Sequence, residues 1–82
     1  HLYHIGHEIC EQNKVPFEIL LPLILETANK ISTLSPLEAQ TGPAKRNDTK
    51  TIEKHKAMLT ENQIEIYTLL TNSIYNTYGE KL

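Results

Sequence analysis

Apolar residues recur at helical spacing along almost the whole chain. Leu2, Ile5 and Ile9 share one face of a first helix over residues 1–12, and similar stripes predict helices over 16–32, from about 48 to 59, and over 60–78. No segment alternates apolar and polar residues long enough to predict a strand. The pattern therefore predicts an all-α fold, a four- to five-helix bundle in which residues 1–82 form a single domain.

The second predicted helix, residues 16–32, is apolar on more than one face. One stripe comprises Phe17, Leu20, Leu21, Ile24, Ala28 and Ile31, and other faces carry Ile19, Leu23 and Leu25. A helix of this kind is usually buried, and Pro22 is expected to bend it. Because a chain of 82 residues has a thin core, we expect a partner surface to cover this helix, most simply that of a second copy in a homodimer.

The connection over residues 33–48 is long for a helical bundle, and we expect one helical turn within it, at 36–40. Beyond it, Asn47 or Asp48 is a good cap for the third helix. Thr60 and Gln63 have the spacing of a capping box at the start of the fourth helix, and Gly79 suits its C-terminus.

Charge and composition exclude several classes of function. A net charge of −2, from 8 basic and 10 acidic residues, argues against nucleic-acid binding, and these residues contain neither a signal-peptide pattern nor an apolar run of about 18 residues. The single Cys10 fits a reducing, cytoplasmic setting. The apolar pattern already includes the first residues, without a capping residue ahead of them, so we expect the chain to be a C-terminal fragment of a longer protein.

Histidines and tyrosines are the side chains that most readily suggest chemistry. His4 lies one helical turn from both His7 and Glu8, a spacing that could ligate a metal but is not the zinc signature HExxH. An exposed helix surface is the favoured interpretation, and no metal is assigned. Tyr67, Tyr75 and Tyr78 recur at helical spacing in the fourth helix, which is typical of a core or an interface.

The segment Thr41-Gly42-Pro43-Ala44-Lys45-Arg46-Asn47-Asp48 is the most unusual in the chain. It joins a Gly-Pro turn, two adjacent cations and the start of a helix. The free N–H groups of a helix start, with Arg46 and Lys45, could hold a phosphate or carboxylate. A solvated loop with a good helix cap is the alternative, and from the residues alone it is the favoured one.

The run GPAKRND, followed by TIEKHKAML, resembles the C-terminal helical domain, of unknown function, in bacterial Rossmann-like NAD(P)-dependent oxidoreductases. The family pattern of Thr-Gly-Pro, a variable pair, Arg, one residue and Asp matches Thr41, Gly42, Pro43, Arg46 and Asp48. LLPLILETANKI resembles the family's apolar helix with its internal Leu-Pro-Leu. The resemblance covers essentially the whole chain, and the sequence is most similar to family members from Bacteroides-like bacteria. The domain layout of the family is similar to that of pyrroline-5-carboxylate reductase and 6-phosphogluconate dehydrogenase.

This resemblance implies a substrate-cleft and dimerisation domain of an enzyme that uses NADP or NAD. The cofactor would be bound mainly by an N-terminal Rossmann domain, because these residues contain no GxGxxG turn. It implies that the matching loop residues line the substrate cleft, with Arg46 binding an anionic group of a small-molecule substrate and Asp48 capping the third helix and orienting Arg46. The competing hypothesis is a stand-alone helical interaction module without catalytic activity.

Overall fold

A computed structural model describes residues 1–79, and these form six α-helices and one 3-10 helix. The α-helices are α1 (Leu2–Gln12), α2 (Leu21–Lys30), α3 (Pro36–Ala39), α4 (Pro43–Arg46), α5 (Thr49–Ala57) and α6 (Glu61–Tyr78), and the 3-10 helix is Phe17–Leu20. No strand occurs in this range, so the all-α prediction is confirmed. The internal contacts divide the chain into two compact units, residues 1–39 and the residues from 40 onward.

The first unit is built on α1 and the 3-10 helix packed against it. Ile5 and Cys10 are the buried side chains of α1. The helix ends at Asn13, whose side-chain amide donates to the Ile9 carbonyl at 2.8 Å. Lys14 then takes a left-handed conformation, φ 57°, which turns the chain toward the next helix.

The second predicted helix is two helices, and the expected role of Pro22 is wrong. A 3-10 helix covers Phe17–Leu20, and α2 begins only at Leu21, so Pro22 lies in the first turn of α2. A first-turn residue needs no intrahelical N–H bond, so proline opens this helix instead of bending it. Neither helix has a buried side chain. Ile19, Leu23 and Leu25 are each between 60% and 64% exposed, which leaves an apolar surface on this unit.

The connection between α2 and α5 is more helical than predicted. The expected turn at 36–40 is α3, which begins after Ser35, whose hydroxyl and backbone N–H both donate to the Glu38 carboxylate. The short helix α4 was not predicted. It is framed by two residues of positive φ, Gly42 at 102° and Asn47 at 55°, because glycine and asparagine tolerate that region best.

In the second unit α4 packs against both α5 and α6. The side chains that become buried here are Ala44, Ile52 and Gln63. Asp48 caps α5, and Thr60 and Gln63 form the complete capping box predicted for α6. Gly79 is the C-cap residue of α6 but has right-handed helical angles, so its freedom to adopt positive φ is not used. No helix among residues 1–79 has the length and apolarity needed to cross a membrane.

Candidate functional site

A concave pocket of about 210 Å³ lies within the second unit, between the residues that precede and begin α4 and one side of α5 and α6. Its surface is mostly apolar. The lining residues are Thr41, Gly42, Pro43, Ala44, His55, Tyr67, Leu70, Thr71 and Ile74. Three of the five residues predicted to bind substrate therefore border this pocket, namely Thr41, Gly42 and Pro43.

The backbone of this rim depends on Gly42. Its angles, φ 102° and ψ 172°, belong to a region that is essentially restricted to glycine. A Cβ atom at this position would meet nothing within 4 Å, so the backbone angle, not lack of space, requires glycine. Pro43 follows in the first turn of α4, where its fixed φ suits a helix start. The Gly-Pro pair thus sets the shape of the pocket rim.

His55 on α5 and Tyr67 on α6 are two of the polar residues that line the pocket. Nδ1 of His55 lies 2.8 Å from the Tyr67 hydroxyl oxygen, and the two rings meet edge to face at 5.7 Å between centroids. Burial raises the pKa of the Tyr67 phenol above its usual 10.0, and a hydrogen bond from the Thr71 side chain partly offsets this increase. The phenol is therefore protonated at neutral pH and can donate a hydrogen bond.

Arg46 and Asp48 are not among the described residues that line the pocket. Nη2 of Arg46 lies 3.7 Å from Oδ2 of Asp48, and the Arg46 side chain is 60% exposed. The Asp48 carboxylate also accepts hydrogen bonds from the backbone N–H and the hydroxyl of Thr51. These two Thr51 bonds, and more weakly Arg46, lower the pKa of Asp48 below its ordinary 3.8.

The sequence predicted that the start of this helix could bind an anionic group. In the structure the carboxylate of Asp48, from the chain itself, caps the start of α5. Binding of a substrate anion by Arg46 stays a prediction. The neighbouring cation, Lys45, is placed differently, with Nζ 5.2 Å from the centre of the Tyr78 ring. The two adjacent cations therefore have different surroundings, and a substitution of each can be compared with the other.

The histidines of α1 form contacts with carboxylates one turn further along the helix. His4 Nε2 lies 3.7 Å from Glu8 Oε1, and His7 Nδ1 lies 2.9 Å from Glu11 Oε1. Within the described part of the chain, no group of three or more His, Cys, Asp or Glu side chains is placed to hold a metal ion. The metal alternative considered for these histidines has no support from this geometry.

Sequence analysis identified the loop over residues 41–48 as a candidate site, but it did not predict that His55 and Tyr67 belong to that site. Tyr67 was interpreted as a core or interface position, and His55 was not proposed as a site residue. The available signal was that each carries a hydrogen-bonding group within an otherwise apolar face. Which helices meet there depends on α4, and α4 was not predicted.

Comparison with known protein families supplies the affiliation of the chain. The profile of a family described as a domain of unknown function, DUF2520, matches residues 1–74. The chain belongs to the DUF2520 family. The match includes the residues of the pocket and all five predicted substrate-binding residues. A comparison with curated protein sequences gives no match.

A solved structure is similar to this DUF2520 domain at the level of both fold and sequence. It is the crystal structure of a "putative NADP oxidoreductase" from Bacteroides fragilis, with 41% identity and a TM-score of 0.88. The similarity covers 93% of this chain but 30% of that one, so this DUF2520 domain spans less than a third of its relative's length. The match to a Bacteroides protein described as an oxidoreductase agrees with the predicted resemblance.

Proposed function

We propose that this DUF2520 domain forms one wall of the substrate cleft in an NADP-dependent oxidoreductase. The observation that carries the proposal is the 41% identity to the Bacteroides fragilis protein over 93% of this chain. The pocket beside Thr41, Gly42 and Pro43 supports it, because these residues match the loop on which the predicted family resemblance rests. The layout would be that of pyrroline-5-carboxylate reductase and 6-phosphogluconate dehydrogenase.

The cofactor in this proposal is bound elsewhere in the enzyme. The three glycines of the chain, Gly6, Gly42 and Gly79, lie too far apart to form a glycine-rich turn for a pyrophosphate. Since these residues do not fit a nucleotide site, NADP would be held by the part of the enzyme that corresponds to the rest of the Bacteroides fragilis protein. The DUF2520 domain would shape the substrate side of the cleft.

Arg46 is proposed to bind an anionic group of the substrate. Its side chain is largely exposed, and Asp48 lies close enough to restrict its orientation. A planar guanidinium suits a carboxylate or phosphate, and a charge-assisted bond of this kind is worth about 1.5–3 kcal/mol. Thr41, Gly42 and Pro43 would form the rim of the pocket against which the substrate lies.

The test is NADPH consumption by the complete enzyme with a panel of small ketones, aldehydes and imines. On an active substrate, Arg46→Ala should lower kcat/KM by about tenfold to a thousandfold, and Lys45→Ala, its neighbour in α4, should change it far less. The absence of NADPH binding to the complete protein would refute the proposed function. Equal, negligible effects of both substitutions would refute the role of Arg46.

The exposed apolar side chains favour a second element of the proposal, a homodimer. Ile19 and Leu23 lie four residues apart, and each is about 60% exposed. In a symmetric dimer the same surface of both copies would be buried, which would remove these side chains from water. The competing function, a stand-alone interaction module, predicts that a different protein covers this surface and that the complete protein does not bind NADPH.

A further inference from the structure

The hydrogen bond between His55 and Tyr67 involves Nδ1 of an imidazole that lines the pocket, so Nε2 is the other ring nitrogen. Tyr67 is half-buried, and its oxygen lies 2.8 Å from Nδ1 of His55. Burial raises the pKa of the phenol above its usual value, so the phenol keeps its hydrogen at neutral pH. The phenol can donate this hydrogen to Nδ1. In the neutral imidazole this leaves the ring hydrogen on Nε2.

The rest of the pocket indicates what kind of acceptor that N–H can meet. Pro43, Leu70 and Ile74 are apolar, and none of the described lining residues is Lys, Arg, Asp or Glu. Moving a carboxylate into such surroundings without a paired cation is costly, whereas a carbonyl oxygen needs one hydrogen-bond donor. The volume of about 210 Å³ equals about seven water molecules at about 30 Å³ each. A small ligand with an uncharged carbonyl fits these limits.

We propose that Nε2–H of His55 binds the carbonyl oxygen of a small ketone or aldehyde whose apolar body lies against Pro43, Leu70 and Ile74. Tyr67 is a positioning residue, because its hydroxyl holds the imidazole in the tautomer that can donate. This inference rests on the proposed function, because it names the class of substrate that the proposed cleft would bind. It assigns carbonyl recognition to His55, and an anionic group elsewhere on the substrate would remain with Arg46.

Binding of cyclohexanone to the complete protein, followed by isothermal titration without cofactor, tests the proposal. Cyclohexanone should bind, and cyclohexanecarboxylate, its matched anionic probe, should bind more weakly. His55→Leu should weaken cyclohexanone binding about two- to twelvefold, as expected for the loss of one hydrogen bond. Equal affinity of wild type and His55→Leu for cyclohexanone, tighter binding of the carboxylate that depends on His55, or no binding of cyclohexanone would each overturn the inference.

Tyr67→Phe separates a positioning role of the Tyr67 hydroxyl from a packing role of its ring. This variant also tests the inference if His55→Leu does not fold. In protein labelled with ¹⁵N-histidine, the His55 signals should report hydrogen on Nε2 in wild type and a mixture of tautomers in Tyr67→Phe. Tyr75→Phe, an exposed position on the same helix, is the matched control and should leave them unchanged. A wild-type signal with hydrogen on Nδ1 would overturn the assignment.

NADPH binding measured on the same samples distinguishes the two proposals. Cyclohexanone binding that depends on His55, without NADPH binding, would refute the oxidoreductase and leave the carbonyl site in place. NADPH binding without any His55-dependent binding of cyclohexanone would refute the carbonyl site alone.

Discussion

Thr51 donates two hydrogen bonds to Asp48, from its backbone N–H to Oδ1 at 3.1 Å and from its hydroxyl to Oδ2 at 2.7 Å. Both bonds favour the ionised carboxylate, which is why the pKa of Asp48 is lowered. The cap of α5 is therefore strongest when Asp48 carries its charge.

This cap should make stability depend on pH at the acidic end. A carboxyl whose pKa is lower in the folded than in the unfolded state stabilises the fold above the unfolded value, near 3.8, and this contribution is lost as pH falls through the folded value. Asp48→Asn keeps a capping side chain without the charge. The difference in Tm between wild type and Asp48→Asn should therefore shrink as pH falls below about 4. A difference that is constant with pH would contradict the prediction.

Gly42→Ala should destabilise the protein through its backbone. At φ 102° a side chain is strained although nothing lies within 4 Å of the new Cβ, and the cost should be about 1–3 kcal/mol in urea unfolding. Gly6→Ala is the matched control, because Gly6 lies inside α1 and its Cβ would lie at an ordinary 4.0 Å from Phe17. That variant should be more stable than wild type by up to about 1 kcal/mol. Equal effects at both positions would contradict the explanation.

Thr60→Ala should weaken the start of α6. The Thr60 hydroxyl accepts from the Gln63 N–H at 3.4 Å, and the Gln63 side chain accepts from the Thr60 N–H at 3.0 Å. Loss of an N-cap of this type costs about 0.5–2 kcal/mol of unfolding free energy. Thr77→Ala, near the other end of α6, removes only an exposed bond to the Ser73 carbonyl and should change stability by less than about 0.5 kcal/mol.

Leu23→Glu should dissociate the proposed homodimer. A charge placed in a buried apolar interface is costly, whereas the same charge on a free surface is not. Light scattering of the complete protein should fall from twice the chain mass to a single chain mass at micromolar concentration. Asn29→Glu, an exposed polar position on the same helix, should leave the mass unchanged. A wild-type protein that is monomeric at high concentration would refute the dimer.

Where a helix begins and ends could be predicted best when the signal was local. The capping box at Thr60 and Gln63 and the cap at Asp48 depend on residues three positions apart, and both are present. Pro22 was interpreted incorrectly because the start of α2 depends on how the preceding 3-10 helix packs on α1, which the apolar pattern does not contain.

The candidate site shows the same limit. Thr41, Gly42 and Pro43 could be identified from composition and resemblance, and they border the pocket. His55 and Tyr67 are separated by twelve positions, and their side chains meet where α5 and the following helix α6 come together. Their contact is a property of tertiary packing, so no local pattern could reveal it.

The backbone course around α4 and the charge that α4 carries depend on different residues. Gly42, Asn47 and Asp48 determine how the backbone enters and leaves α4, whereas Lys45 and Arg46 have ordinary helical angles. Positions 45 and 46 can therefore accept other side chains while the backbone keeps its course. The charge that α4 presents can thus be changed at these two positions while the backbone that forms the pocket rim stays the same.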